Sequence, residues 1–354
     1  MTRATSSVPP AVAAGRPGGR VALWDNARLG LMVLVVFGHS IETLRSGSPL
    51  TTAIYDVVYA FHMPAFLLVS GWFARADRLD AKSLVGTAKL LVTWLLAEAG
   101  WVGIRALTGD DPFPADFLVL PSWTLWFLVA LVSMRILLPY LAQLRFPLIT
   151  VTAVSLAVGL SPVVGTQFSA SRTLAMLPFF VLGWRLRQLG VGERAWFLRP
   201  TTGVRIGAGA ALAVLAGVVL LLTRLPVFTN QLLFYRRGYP GMDIADPLGV
   251  LLRLTFLTIG AAMTVAVLVL IPRREFRFSS LGANTMAVYL LHTPLIEAFR
   301  RLRVDDVIAG LPLSLVLLVL LSAAVTLLLA STPVARIMRP VTDPRWPFRS
   351  PKPV

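Results

Sequence analysis

The sequence predicts an all-α polytopic membrane protein, and its composition and residue order support this fold class. Of its 354 residues, 56% are hydrophobic and only 14% are charged, whereas soluble domains carry about 25% charged residues. The apolar residues also fall into runs long enough to cross a bilayer as helices. The absence of cysteine excludes disulfides, thiolate nucleophiles and cysteine metal sites.

Ten apolar runs predict about ten transmembrane helices, of which the first and the sixth are short. No internal repeat accompanies them, so an inverted-repeat transporter has no support. The runs cover residues 28–44, 53–73, 84–107, 117–135, 147–165, 173–186, 204–223, 246–271, 281–298 and 311–331.

Basic segments flank the predicted membrane domain, which covers residues 23–333. Residues 1–22 are rich in Ala, Pro, Gly and Arg, which is typical of a disordered tail. Residues 334–354 are basic and rich in proline, and we expect an irregular tail. Of the 33 Lys and Arg residues, 22 fall on the side of these tails and eight on the other. Since cytoplasmic loops collect positive charge, both termini are predicted in the cytoplasm, and the net charge of +16 reflects topology rather than nucleic-acid binding.

The first predicted helix carries Arg28 and His39, eleven residues apart. Eleven helical steps return to nearly the same face, about 16 Å further along the axis. Arg28 could hold an anion near the cytoplasmic face while His39 acts as a general base on a hydroxyl. Alternatively, Arg28 is a snorkelling interfacial arginine and His39 is structural. Asp25 can pair with Arg28, and Glu42 could orient the His39 ring or face external water.

The second and ninth predicted helices each carry a histidine two residues before a proline, His62 before Pro64 and His292 before Pro294. Ionisable groups are costly within a membrane, so they usually face a cavity or a partner. Both histidines could belong to the same cavity as His39, since all three lie at middle to outer depth. The alternative is a structural histidine that satisfies backbone groups near a kink. Tyr289 shares the ninth helix.

Charged pairs seven residues apart occur in the third and eighth helices. Glu98 with Arg105, and Asp246 with Arg253, are therefore predicted as buried structural ion pairs. The fifth, seventh and tenth helices are predicted from their apolar runs alone.

Aromatic and basic residues mark the outer ends of the fourth and sixth helices. Trp126 would serve as an interfacial anchor or contact a substrate. Arg172 lies at the outer boundary, where it could bind a carboxylate or phosphate or remain without a function. The external segment 224–245, which includes Tyr235 and Arg236, is a candidate acceptor-contacting loop.

Five phrases together resemble the integral membrane acyltransferases of acyltransferase family 3, in particular the fucose 4-O-acetylase-like branch. The family carries an Arg and a His separated by ten residues in its first helix, as here. The remaining phrases follow in family order: FHMPAFLLVSGWF at 61–73, LWFLVAL at 125–131, the stretch from Arg172 to Gly183, and YLLH at 289–292.

The resemblance implies a ten-helix fold and transfer of an acyl group, commonly acetyl, from cytoplasmic acyl-CoA to a hydroxyl of a cell-envelope or lipid-linked carbohydrate. It implies His39 as the essential catalytic histidine and Arg28 as a residue on the acyl-CoA side. Together with the residue patterns, it leads us to predict three groups of site residues. They are catalytic His39 and Glu42; donor-side Arg28 and Asp25; and substrate-binding His62, His292, Arg172, Tyr289 and Trp126.

The expected partners are the lipid bilayer, acetyl-CoA or another acyl-CoA as co-substrate, and a carbohydrate or glycolipid acceptor. No metal, permanently bound cofactor or nucleic acid is expected, and the expected location is the plasma (inner) membrane. A transporter or flippase for a glycan or lipid-linked sugar is the alternative, with the same polar residues lining its pathway. The lack of repeats and the concentration of motifs in the first two helices favour the enzyme.

Overall fold

The computed structural model describes residues 22–76, 81–309, 311 and 313–348, and within these ranges all regular structure is helical. The predicted disordered tail at 1–22 lies outside the described residues except for Ala22, and so do residues 349–354 of the predicted C-terminal tail.

In the part of the chain that the structure describes, each of the ten predicted segments overlaps one long α-helix, and four short α-helices lie between or after them. The helices are α1 (Ala22–Ser40), α2 (Pro49–Phe73), α3 (Ala81–Thr108), α4 (Trp126–Leu141), α5 (Pro147–Leu160), α6 (Ala170–Gln188), α7 (Ala195–Leu198), α8 (Thr202–Leu222), α9 (Gln231–Phe234), α10 (Asp246–Leu270), α11 (Thr285–Arg301), α12 (Val304–Ala309), α13 (Ser314–Leu329) and α14 (Thr332–Thr342).

The protein is an all-helical, multi-pass membrane protein. Within the described residues, five helices are long and apolar enough to cross a bilayer, or six if α13 and α14, bent by 67°, form one span. The five cover Pro49–Phe73, Ser83–Thr108, Trp123–Leu141, Thr202–Leu222 and Asp246–Leu270. The other predicted spans are shorter, less apolar or more charged, so the count of ten crossings stays a prediction.

Three element boundaries differ from the sequence prediction. Helix α1 begins at Ala22, so Arg28 lies in its second turn rather than at its start. Residues 117–122 are not helical, and Leu118 adopts the left-handed region at φ 64°, which disfavours a continuing helix. The expectation of an irregular C-terminal stretch is wrong for 334–342, because Pro333 stands in the first turn of α14, where a helix accepts proline.

Helices α2 and α6 pack in close backbone contact through two glycines. A Cβ at Gly71 would overlap the carbonyl oxygen of Phe180, and one at Gly183 would overlap that of Leu68. Small residues of this kind let two membrane helices approach closely. The contact fixes the cavity-facing side of α2 relative to α6.

Contacts between helix ends and loops join segments predicted on the same side of the membrane. At one end, the Asn26 side chain donates to the carbonyls of Pro272 and Arg274. At the other end, Arg301 pairs with Asp110 at 2.6 Å. These contacts agree with the alternating path of ten segments, whereas the side that faces the cytoplasm stays a prediction.

Helix α14 is joined to α3 at the same end of the protein as the Asn26 contacts. The Lys89 ammonium lies 2.7 Å from the Asp343 carboxylate, just after α14. Burial acts to raise the pKa of Asp343, but hydrogen bonds and charges from Lys89 and Arg345 outweigh burial and lower it. The pair stabilises the docked C-terminal helix while Asp343 is ionised.

The two predicted ion pairs are wrong, because seven residues separate side chains by about 10 Å along a helix and each arginine finds nearer acceptors. Glu98 accepts hydrogen bonds from the backbone and hydroxyl of Ser122, and Arg105 also donates to that hydroxyl. Arg253 donates to the carbonyls of Ser155 and Arg237, each at 3.0 Å.

Candidate active site

One face of α1 and of the turn after it lines a cavity of about 590 Å³. The residues that reach it are Arg28, Met32, Val35, His39 and Glu42, at alternating spacings of four and three. This is the stripe that helical periodicity produces on a single face. The prediction that Arg28 and His39 share one face is therefore confirmed, and they border the same space.

A second stripe, on α2, forms the facing wall. Tyr55, Tyr59, His62 and Phe66 line the cavity, again at spacings of four, three and four. Helices α4, α6 and α11 and the segment before α10 close the remaining sides. Their contributions include Trp126, Arg135, Arg172, Leu233, Phe234, Arg236 and Tyr289.

The His39 ring is held by groups from three parts of the chain. Its Nδ1 lies 3.3 Å from the Tyr59 hydroxyl and 3.8 Å from a carboxylate oxygen of Glu42. Arg300 donates to that carboxylate and to the His39 carbonyl, both at 2.9 Å. The Arg300 guanidinium also covers the ring of Trp123, which lies 5.6 Å from the His39 ring. The Glu42 carboxylate and the Arg300 guanidinium of α11 thus fix the last turn of α1.

His62 and His292 lie beside this centre but are bonded differently. Each Nδ1 contacts a carbonyl four residues earlier, Val58 at 2.9 Å and Val288 at 3.0 Å. A carbonyl only accepts, so Nδ1 carries the proton, and in a neutral ring Nε2 is left as an acceptor. The His62 ring is 4.6 Å from Tyr59, and the fully buried His292 ring is 5.6 Å from His39.

The opposite end of the cavity is basic. The Arg28 guanidinium lies 3.4 Å from Asp25 and packs over the Phe73 ring at 4.7 Å. Arg135 of α4 also lines the cavity, and its buried Nε has no hydrogen-bond partner in the described structure. Trp123, just before α4, lies 5.6 Å from the His39 ring, and Arg135 is nine residues, or about 14 Å, along α4 from its first residue Trp126. Two guanidinium groups therefore border the cavity away from His39. In the part of the chain that the structure describes, no group of three or more His, Cys, Asp or Glu residues is arranged to hold a metal ion.

A sequence model of the family 3 acyltransferase domain matches residues 21–331, most of the chain. The chain belongs to acyltransferase family 3. Together with its apolar helices, this assignment identifies an acyl-transferring membrane enzyme. Comparisons with curated proteins and with solved structures gave no match, so the fucose 4-O-acetylase-like branch stays a prediction.

Most residues predicted for the site border the cavity of this family 3 acyltransferase. Those that do are Arg28, His39, Glu42, His62, Trp126, Arg172 and Tyr289. Asp25 instead lies behind Arg28 as its ionic partner. His292 lies behind His39 and, among the described residues, is not part of the cavity wall. Their roles in binding and chemistry stay predictions.

Sequence reasoning missed four residues of this acyltransferase site. Tyr59 had a usable signal, because it precedes His62 by three residues and so shares its helix face. Trp123, Arg135 and Arg300 are absent from the residues predicted for the site. Arg300 contacts His39 of α1 from 261 positions away in sequence, a contact that no local pattern can indicate.

Proposed function

We propose that this membrane enzyme transfers an acyl group, most simply acetyl, from cytoplasmic acyl-CoA to a hydroxyl of a cell-envelope or lipid-linked carbohydrate at the plasma membrane. One observation carries the proposal: a single cavity is bordered by Arg28 and by His39. A donor and an acceptor that enter from opposite ends could therefore meet at the imidazole.

In the proposed reaction, His39 acts as the general base through Nε2. The Glu42 carboxylate near Nδ1 favours a proton on that nitrogen, which leaves Nε2 free to accept one. Nε2 takes the acceptor hydroxyl proton while the hydroxyl oxygen attacks the thioester carbonyl carbon. The new C–O bond forms, the C–S bond breaks, and the proton passes to the departing thiolate to give free CoA. Glu42 is a positioning residue, since it acts through His39.

The donor would bind with its phosphates near Arg28 and Arg135. Both arginines line the cavity away from His39, and guanidinium groups suit phosphate oxygens. The axial distance of about 16 Å from Arg28 to His39 is compatible with an extended pantetheine arm. This assignment places the thioester rather than the nucleotide beside the imidazole.

Family membership favours acyl transfer over transport of a glycan or lipid-linked sugar. A transport pathway would need polar side chains along its length, whereas many cavity residues between the ends are apolar, including Met32, Val35 and Phe66. The polar groups concentrate around His39 and at the arginines, which suits two binding subsites and one reaction centre.

The first test uses purified protein in lipid nanodiscs with acetyl-CoA labelled in the acetyl group and a panel of sugar acceptors. We expect labelled ester from the wild type. We expect His39→Gln to lower kcat by about 10²–10⁴-fold, the usual contribution of a general base, while CoA still raises the melting temperature of the variant. Wild-type turnover by His39→Gln would refute the proposed mechanism.

The second test concerns the donor end. Arg28→Ala should raise the KM for acetyl-CoA by about 10-fold or more, which is the loss expected when a hydrogen bond to a charged group is removed. The KM for the acceptor should change little. Arg277→Ala is the matched control, because Arg277 is an exposed arginine on the same predicted side and does not line the cavity. Equal effects of the two substitutions would contradict the donor assignment.

A further inference from the structure

The His39 end of the cavity contains positive charge that acyl-CoA bound at Arg28 would not neutralise. Arg172, in the first turn of α6, packs its guanidinium over the Trp126 ring at 4.5 Å. Among the described residues, its buried Nε has no hydrogen-bond partner and no carboxylate pairs with the guanidinium. Leaving such a cation unpaired inside a protein is costly.

A second arginine stands next to the first. The Ser171 hydroxyl donates to the backbone carbonyl of Arg236 at 2.9 Å, which ties the segment before α10 to the start of α6. Arg236 lines the same cavity and is exposed at its rim, and its charge acts on Arg172. The Arg253 bond to the neighbouring Arg237 carbonyl holds this segment in place. Two like charges are therefore kept close together against their mutual repulsion.

A buried hydroxyl completes the cluster. Ser169 is 2% exposed and lines the cavity, and its Oγ has no partner in the described structure. It adopts the left-handed region at φ 58°, directly after Phe168 at φ 46°. Non-glycine residues rarely adopt this region, and such strain often marks functional sites. The Phe168 amide is fixed by the Val119 carbonyl at 2.7 Å.

We propose that Ser169, Arg172 and Arg236 form an oxyanion subsite that binds a carboxylate or phosphate group of the acceptor. The inference rests on the proposed function, and it narrows the acceptor class to anionic carbohydrates such as uronate-containing or phosphate-linked sugars. The hydroxyl and two guanidinium groups supply donors that suit such oxygens, and the start of α6 adds the positive end of a helix. The subsite and the reaction centre share one cavity, because Tyr59, whose hydroxyl lies 3.3 Å from His39 Nδ1, lines the same space as the three residues.

The experiment compares acceptors that differ in charge. Wild-type protein in nanodiscs is supplied with acetyl-CoA and p-nitrophenyl β-glucuronide, p-nitrophenyl β-glucoside or glucose 1-phosphate. We expect kcat/KM to be at least about 10-fold higher for a charged acceptor than for the glucoside. The better of the two charged compounds identifies the oxyanion as carboxylate or phosphate.

Variants assign the preference to this cluster. Arg172→Gln should lower the ratio of kcat/KM for the charged acceptor to kcat/KM for the glucoside by about 10- to 100-fold, while Arg172→Lys should retain part of the preference. Arg224→Gln is the matched control, because Arg224 is exposed on the same predicted side and does not line the cavity. Equal use of charged and neutral acceptors, or an equal loss of both in Arg172→Gln, would overturn the subsite.

Thermal stabilisation by the glucuronide and by glucose 1-phosphate separates this inference from the proposed reaction. We expect stabilisation of the wild type and of Arg224→Gln but not of Arg172→Gln, whether or not any acetyl group is transferred. Stabilisation without transfer to any acceptor would support the subsite and contradict the proposed reaction. Transfer to the neutral glucoside without stabilisation by either anion would support the proposed reaction and contradict the subsite.

Discussion

Replacing Glu42 by glutamine should slow the reaction by weakening the stabilisation of a positive charge on His39. As His39 takes the acceptor proton it becomes an imidazolium, and the Glu42 carboxylate lies 3.8 Å from its Nδ1. Opposite unit charges at that distance attract by about 4 kcal/mol at an effective dielectric constant of about 20, and by about 1 kcal/mol in bulk water.

The environment of Glu42 sets the value between these limits. Its side chain is 34% exposed and also forms an ion pair with Arg300. Screening by solvent therefore reduces its attraction to the imidazolium below the upper limit. A loss of about 2–3 kcal/mol corresponds to a fall in kcat of about 30- to 150-fold. Glutamine keeps the size of the side chain and an oxygen for Arg300, so the change isolates the charge.

The assay is steady-state release of CoA by wild type, Glu42→Gln, Glu42→Asp and a control. We expect kcat to fall in Glu42→Gln, the KM for acetyl-CoA to stay within about threefold, and Glu42→Asp to recover part of the rate. Glu297→Gln is the control, because Glu297 forms a similar carboxylate–arginine pair with Arg301 at 2.8 Å and does not line the cavity. A kcat for Glu42→Gln within twofold of wild type, or equal to that of the control, would refute the reasoning.

Three further predictions concern the scaffold. Gly71→Ala should abolish or strongly reduce folded protein, measured by size-exclusion yield, because its Cβ would overlap the α6 backbone, whereas Gly86→Ala has open space and should fold normally. Asp343 has a lowered pKa, so its contribution to stability is complete above the ordinary aspartate pKa of 3.8 and is lost as pH falls through the lower pKa of the folded protein. The melting temperatures of wild type and Asp343→Asn should differ at pH 7 and converge in acid. Asp111→Cys, in a chain without cysteine, should react with an impermeant maleimide in intact cells, and labelling only after permeabilisation would overturn the predicted topology.

Local periodicity accounts for the parts of the site that the sequence predicted. Arg28 and His39 occupy one helix face because of their spacing alone, and the same argument applied to α2 would have found Tyr59 from His62. Apolar runs likewise located the ten long helices, since a run of bilayer length has few alternatives to a helix. The ends of the helices were predicted less accurately, because caps and left-handed turns such as the one at Leu118 depend on tertiary contacts.

The remaining parts depend on contacts that are distant in sequence. Arg300 lies just beyond the predicted ninth segment, 281–298, yet it binds Glu42 and the His39 carbonyl because α11 packs against the end of α1. The predicted pair of Asp246 with Arg253 failed for a related reason, since backbone carbonyls of α5 and of the segment before α10 lie nearer to the guanidinium. A sequence shows which charges a membrane helix carries but not which acceptors the fold brings to them.

The charges around the cavity connect the two proposals. Among the described residues, its charged lining consists of four arginines and one carboxylate: Arg28, Arg135, Arg172, Arg236 and Glu42. An excess of positive charge in a low-dielectric cleft attracts anions, and the only negative charge of this lining stands beside the imidazole that would become positive in the reaction. Since the arginines divide between the two ends, one anionic ligand would neutralise only half of them. This arrangement favours two anionic substrates that approach His39 from opposite ends of the cavity. Glu42 would then stabilise the positive charge that forms on the His39 ring during the reaction.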